Sequence, residues 1–246
     1  MEYNGHKLRH ELKYNISYAD YHELRNRALV FMHHDPHGDN GRYFIRSLYF
    51  DDIMLSNYNQ KMDGWEHRRK YRIRAYDFKP DVIKFEIKDK FDKYISKISS
   101  QITHEQCMSL VNGDFGFISG IIQSKADDRA VQALKVGYID NACKILRPQA
   151  VVDYTREVFI CEEGNVRLTF DMNLRAGQAS GDMFDPDLPT VPAYDNDSLI
   201  MEVKYDDFLP NYVKQILRSV SRWQTAQSKY TTCCLAQSHY FGKDVF

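Results

Sequence analysis

Apolar and polar residues alternate with a period of two in segment after segment of this chain, the pattern of strands with one buried face. Such segments span residues 6–16, 43–51, 68–78, 82–90, 95–102, 149–161, 165–174 and 199–205, predicting about eight strands. Helix signals fall among these strands without alternating one for one. Ser17 is placed to cap a helix over 18–32 with Leu24, Ala28 and Phe31 on one face, and Thr103 with Gln106 reads as a capping box for a helix ending at Gly113. A third helix is predicted over 125–144, stopped before Pro148. After Pro210, residues 211 to about 235 read as one long helix or two short ones, with Val213, Ile216, Leu217 and Val220 on the apolar side. Residues 33–41 and 176–198 read as loops, and the length of the second predicts a cover over a site entrance.

The two faces of the strands differ in kind. In residues 82–90, Lys84, Glu86, Lys88 and Lys90 share one side while Ile83, Phe85 and Ile87 share the other, because successive side chains point to opposite sides of a strand. The split recurs with Arg72 and Arg74 against Ile73, and with Glu11 and Lys13 against Leu12 and Tyr14. It appears again with Arg167, Thr169 and Asp171 against Val166, Leu168 and Phe170, and with Glu202 and Lys204 against Met201 and Val203. One such strand fits an ordinary sandwich with its charges in water. Five together point elsewhere, since each charged face sets Arg or Lys beside another charge at i, i+2 and the helices offer apolar faces to cover the other side. The predicted fold is α+β: a closed antiparallel eight-stranded β-barrel, or tunnel, with helices packed outside and the ionic face as its lumen. Cations crowded into a lumen repel one another and lose hydration, so an anion such as polyphosphate or a nucleoside triphosphate is the expected filler. The interleaved carboxylates are suited to the divalent metal that phosphoryl chemistry requires.

Composition narrows the partners. The 246 residues are 43% hydrophobic and show no repeat, low-complexity tract or linker, which predicts a single domain over 1–246. With 33 basic and 34 acidic side chains the formal charge is −1, so any basic site is local. Nucleic acid is not expected as a partner, because a narrow lumen excludes a duplex. The five cysteines are odd in number and lack a C-x-x-C spacing, and adjacent Cys233 and Cys234 read as packing residues. Reduced thiols without a signal peptide fit a cytoplasmic location. No apolar run reaches the ~20 residues of a membrane span, so contact with the inner membrane face would go through a membrane-protein partner. His33, His34 and His37, with Asp35 and Asp39, have the residue types of a transition-metal site but read as a solvated turn.

The ordered motifs carry a resemblance. They are Arg9-His-Glu-Leu-Lys13-Tyr14, Ser47-Leu-Tyr-Phe-Asp51, Lys70-Tyr-Arg-Ile-Arg74, Phe85-Glu-Ile-Lys88, Val152-Asp-Tyr-Thr-Arg156, Arg167-Leu-Thr-Phe-Asp171, Met201-Glu-Val-Lys204 and Ser228-Lys-Tyr230. Over residues 3–240 the chain resembles the VTC domain, the polyphosphate polymerase module within the triphosphate tunnel metalloenzymes. The resemblance implies a tunnel in which ATP donates its γ-phosphate to a growing inorganic polyphosphate chain, helped by Mn²⁺ or Mg²⁺. It implies catalytic cations at Arg72, Arg74, Lys88, Arg156, Arg167, Lys204 and Lys229, and further phosphate contacts from Lys13, Lys97, Tyr154 and Ser228. Metal ligation is implied for Glu202, with Glu11 beside it. Hydrolysis of triphosphate or tripolyphosphate, and a silent polyphosphate-binding module, are the alternatives. Tunnel triphosphatases begin with Glu-x-Glu-x-Lys, whereas Arg9 stands first here; losing that carboxylate disfavours a two-metal site for activating water and favours transfer to phosphate.

Overall fold

The computed structural model describes residues 2–3, 6–7, 9–91, 94–124, 129–179, 182–194, 197–218, 225 and 227–242. The alternating segments form eight main strands: β1 (His10–Ser17), β2 (Arg42–Asp51), β3 (His67–Tyr76), β4 (Lys79–Phe91), β5 (Tyr94–Ile102), β6 (Arg147–Cys161), β7 (Val166–Gln178) and β8 (Ser198–Tyr205). They lie in the order β1-β8-β7-β6-β2-β3-β4-β5, every neighbouring pair antiparallel. The short strand His33–His34 pairs with β6, and Thr190–Pro192 pairs with β7. The predicted first strand begins late because His6–Lys7 pairs with Glu2–Tyr3 instead. β3 stops at Tyr76 because Asp77 and Phe78, at φ 49° and 57°, form the two-residue turn into β4.

Register sets the ionic side chains on one continuous face. Lys13 lies opposite Glu202, Thr169 opposite Glu202, Arg156 opposite Asp171 and Tyr43 opposite Arg156. The row continues with Ser47 opposite Arg74, Arg72 opposite Glu86 and Lys88 opposite Lys97. The apolar face packs against helices on the other side. Leu168, Phe170, Met201 and Val203 meet α1 (Tyr18–Phe31) and α6 (Asn211–Arg218) through Leu24, Ala28, Val213 and Ile216. Ile73, Ile83, Phe85 and Ile87 meet α3 (His104–Val111), α4 (Phe117–Gln123) and α5 (Gln132–Lys144). On α5 a Cβ built at Gly137 would stand 2.7 Å from the Phe85 ring, so the glycine permits this close approach of helix to sheet. The expected capping box of Thr103 with Gln106 is present, and Ser17 caps α1 as expected, its cap completed into a box by Asp20.

Four expectations are corrected. The sheet is not closed by hydrogen bonds: among the described residues its ends, β1 and β5, do not pair. Nor are all helices outside. Tyr230, Cys233, Cys234 and Ala236 of α7 (Lys229–Phe241) pack with Ile45, Tyr49, Val152 and Tyr154 of the inner face, and Tyr58 of α2 (Ser56–Met62) joins them. Helix α7 therefore fills part of the concavity that a hollow barrel would leave open. Phe31 is 54% exposed, and Tyr21 takes its expected place on the buried face of α1. The 176–198 segment serves both faces: Met183 joins the outer core and the carbonyls of Met183 and Asp185 accept from Arg46, while Val191, Ala193 and Tyr194 pack against the α7 cluster on the inner side. The predicted 125–144 helix is Gln132–Lys144, and residues 125–128 lie outside the described ones. Val220 likewise lies outside the described residues. No helix among the described residues is long and apolar enough to cross a membrane.

Candidate functional site: an ion-paired concave face

The centre of the inner face is a lattice of cations around four carboxylates. Glu202 Oε2 receives Lys204 Nζ at 2.9 Å and lies 3.9 Å from the Arg156 guanidinium, while its Oε1 meets Lys229 at 3.1 Å and Lys13 at 3.5 Å. Asp171 takes Arg156 through two bonds of 2.6 and 2.7 Å and Lys229 at 2.5 Å. Glu86 binds Arg72 at 2.6 Å and Lys97 at 2.9 Å, with Arg74 at 3.7 Å. Glu11 holds Lys13 at 3.0 Å and reaches Lys88 on β4 at 3.2 Å. The Glu11–Lys88 contact joins the first strand of the sheet to the last but one, so side chains bridge the gap that backbone hydrogen bonds leave open.

Hydroxyls order the same cations. Arg72 donates to the Tyr49 hydroxyl at 2.9 Å, and Arg74 donates to Tyr154 at 3.3 Å and to Ser47 at 3.5 Å. Arg156 and Lys229 lie 5.3 and 5.1 Å from the centre of the Tyr154 ring, within cation–π range. Ser228 caps α7, so Lys229 in its first turn projects toward Asp171 and Glu202. Arg167 stands toward one rim, where Asp35 pairs with it at 2.8 Å and Tyr43 accepts from it at 3.1 Å. Arg9 continues the β1 face to its edge and pairs with Asp206 at 2.9 Å, apart from the four central carboxylates.

The electrostatics follow from burial against pairing. Burial opposes the charge of Glu202, but Lys204, Lys229, Lys13 and Arg156 outweigh it and hold the carboxyl well below the usual range. Glu86 is likewise held low against burial by Arg72, Arg74 and Lys97, and Glu11 by Lys13, Lys88 and Lys204. Asp171 and Glu202 overcome the burial of Lys229 and raise it. Lys88 goes the other way: burial and the neighbouring Lys13 prevail over Glu11 and push it down to about 7.

Thus every residue expected in the site faces the concavity. Lys13, Arg72, Arg74, Lys88, Arg156, Lys204, Lys229, Glu11 and Glu202 form its ion-paired centre, with Tyr154 among them. Lys97 is half exposed on β5, Arg167 is near a rim, and Ser228 receives Lys70 at 2.6 Å. Sequence reading set Glu86 and Asp171 on the ionic face, with Glu86 among the carboxylates suited to a metal, but gave no site role to Asp35, Tyr43, Tyr49 or Lys70. Lys70 is the one with a clear local signal, since it continues the Arg72 and Arg74 alternation by two residues. The expected solvated turn is in part a site element: Asp35 is buried, and His37 Nδ1 lies 2.6 Å from it. Among the described residues no three His, Cys, Asp or Glu side chains form a metal cage. Glu202 and Glu11 offer carboxylate oxygens, the ligand type that a hard divalent ion such as Mg²⁺ takes, but Lys13, Lys204 and Lys229 hold Glu202 and Lys13 and Lys88 hold Glu11, so a metal would have to displace ammonium groups.

The model of the VTC domain family matches residues 8–237. No curated protein matches the chain. Among solved structures, a candidate adenylate cyclase from Bacillus halodurans is similar over 90% of this chain and 94% of its own, at 12% identity and a TM-score of 0.52. A second candidate adenylate cyclase, from Vibrio parahaemolyticus, has a TM-score of 0.47 at 9% identity, covering 92% of this chain and 97% of its own. At 12% identity the Bacillus likeness concerns the fold alone.

Proposed function

We propose that this chain, which belongs to the VTC domain family, is a polyphosphate polymerase that transfers the γ-phosphate of ATP to the end of an inorganic polyphosphate chain held against its concave ionic face. The observation that carries the reading is the lattice itself: cations from six strands and the first turn of α7 converge on one surface, already ordered by carboxylates and hydroxyls. Such a surface suits an extended anion with a charge on every repeat.

The reaction needs no protein nucleophile. A terminal oxygen of the polyphosphate attacks the γ-phosphorus of ATP, the bond to the bridging oxygen breaks, and ADP leaves with that oxygen. Arg72, Arg74 and Arg156 stabilise charge on the transferring group, and their guanidinium planes are fixed beforehand by Glu86, Asp171, Tyr49 and Tyr154. Lys88, Lys204 and Arg167 align the chain, and Lys13, Lys97, Lys229 and Ser228 extend the contact. Glu202, with Glu11 beside it, is the carboxylate for Mn²⁺ or Mg²⁺, which when bound neutralises charge on the ATP phosphates. Thiol chemistry is disfavoured, since burial raises the Cys233 thiol well above its usual range and its Sγ rests on the Arg175 carbonyl. The pairing of Arg9 with Asp206 supports transfer over hydrolysis, because the position of a first-motif glutamate carries a cation tied to the rim.

Incubation with ATP and Mn²⁺ followed by electrophoresis tests the reading: an acid-stable polymer and matching ADP are expected. Absence of both products overturns it. Free phosphate without polymer would identify a tripolyphosphate hydrolase, and tight polyanion binding without turnover a sensor module.

A further inference from the structure

Like charges face each other at one end of the sheet. Lys70 on β3 is in register with Lys88 on β4, which is in register with Lys97 on β5; one step along, Arg68 is in register with Lys90. Directly opposed cations on adjacent strands are destabilising, and the central lattice avoids that cost by placing a carboxylate between them. Lys88 and Lys97 share in this through Glu11 and Glu86. Among the described residues Lys70 instead meets only the Ser228 hydroxyl at 2.6 Å and the Tyr230 ring at 5.6 Å, and Arg68, 9% exposed, forms no ion pair within 4.0 Å; the buried Asp51 on the adjoining β2 is taken by the Tyr230 hydroxyl at 2.7 Å and by the amides of Asn57 and Tyr58. The N-terminal end of α7, capped by Ser228, adds its positive dipole end beside Lys70. Lys61, from the last turn of α2, belongs to the same group, since Arg68, Lys90 and Lys13 all act on it as like charges. Burial and these neighbours lower Lys61 and Lys70, and burial lowers Arg68. The nearest acid on β4, Asp89, is turned to the other face, where it binds Arg69 at 2.7 Å. The end is open to water, with Trp65, His67 and Phe91 exposed around it.

We infer that Lys61, Arg68 and Lys70 form a second anion subsite, contiguous with the central lattice, which takes phosphates of a chain too long for the lattice alone. The identity of the ligand as polyphosphate rests on the function proposed above; the subsite itself rests on the uncompensated cations. The chain then runs from the carboxylate-rich centre around Glu202 toward the start of β3 and leaves beside Trp65. Short anions are held by the lattice, and long ones gain the additional grip.

The test compares tripolyphosphate with a long-chain inorganic polyphosphate in calorimetric titrations of wild type and of a Lys61→Gln, Arg68→Gln double variant, without ATP. The expected result is a loss of about tenfold or more in affinity for the long chain and a salt dependence flatter by about two. Affinity for tripolyphosphate stays within about twofold. The double variant alone melts at or above the wild-type temperature, because repulsion is relieved. Equal losses for both ligands, no loss for either, or a lower melting temperature overturns the subsite. Since no turnover is measured, a protein that makes no polymer but shows the selective loss retains the subsite and loses only the reaction. A protein that polymerises without the selective loss retains the reaction and loses the subsite.

Discussion

Lys88 gives the reasoning a quantitative test. Its ammonium is pushed from 10.5 to about 7 by burial and by Lys13, against the pull of Glu11. At pH 8 the empty protein therefore carries this lysine about 90% neutral, whereas a bound phosphate chain, restoring at least the ordinary value, makes it essentially fully charged. Binding at pH 8 takes up about 0.9 proton at this position, and at pH 6, where the lysine is charged in both states, about 0.1. The sign for stability follows: below about 7 both folded and unfolded chains hold the proton and the fold bears the full cost of a buried charge. Between about 7 and 10.5 only the unfolded chain holds it, so this group makes the empty fold more stable as pH rises through that window. Titrating long-chain polyphosphate in buffers of different ionisation enthalpy gives the proton count from the slope of observed heat against buffer enthalpy. The difference between wild type and Lys88→Met cancels protons from the ligand. A difference of about one proton at pH 8 that vanishes at pH 6 is expected. Equal slopes for the two proteins at pH 8 would refute the electrostatic description of the site.

Arg74→Ala should lower polymer formation by about 10² or more while the protein stays folded, because Glu86 keeps Arg72 and Lys97; unfolding seen by circular dichroism would make Arg74 structural. Glu202→Gln removes a buried charge partner shared by Lys13, Lys204 and Lys229, of which Lys13 keeps Glu11 and Lys229 keeps Asp171, and should cost the empty protein about 3 kcal/mol, seen as a fall in melting temperature that polyphosphate reverses. A fall that polyphosphate leaves unchanged would separate Glu202 from the anion site. Gly137→Ala places a methyl group against the Phe85 ring and should destabilise by about 1–3 kcal/mol in denaturant titrations with the apparent affinity for polyphosphate unchanged; a neutral result would mean that α5 shifts freely over the sheet.

The strands and the chemistry of their faces were legible because a strand reports its two environments in alternate residues. Lys84, Glu86 and Lys88 against Ile83, Phe85 and Ile87 need no knowledge of neighbours to be sorted. Closure was not legible, because it depends on curvature: the contact that bridges the gap is Glu11 with Lys88, far apart in sequence, and no local pattern distinguishes it from two solvated charges. Helix α7 was misplaced for a related reason. Its buried residues, Tyr230, Cys233, Cys234 and Ala236, would suit the outside of a barrel equally well, and only Lys229 in its first turn betrays contact with the charged face.

The same distinction bears on what the site can do. Composition reveals a mixed face, but only register shows that the mixture is uneven, with carboxylates set against the cations of the centre, whereas on β4 Arg68 and Lys70 face only Lys90 and Lys88. In the centre, a phosphate chain meets guanidinium groups already held in place, so little ordering remains to be done on binding, but its oxygens must compete with Glu86, Asp171 and Glu202 for the same donors. That competition favours exchange over permanent capture, which a surface that lengthens its ligand one phosphate at a time requires. At the start of β3 no carboxylate pairs with Arg68 or Lys70 among the described residues, the nearby Asp51 on β2 being taken by the Tyr230 hydroxyl and the amides of Asn57 and Tyr58, and attraction for the chain is least offset there. A chain gripped at one end and exchanged at the other can be extended without being lost, and the arrangement of acids along the face, more than the number of bases, decides which end is which.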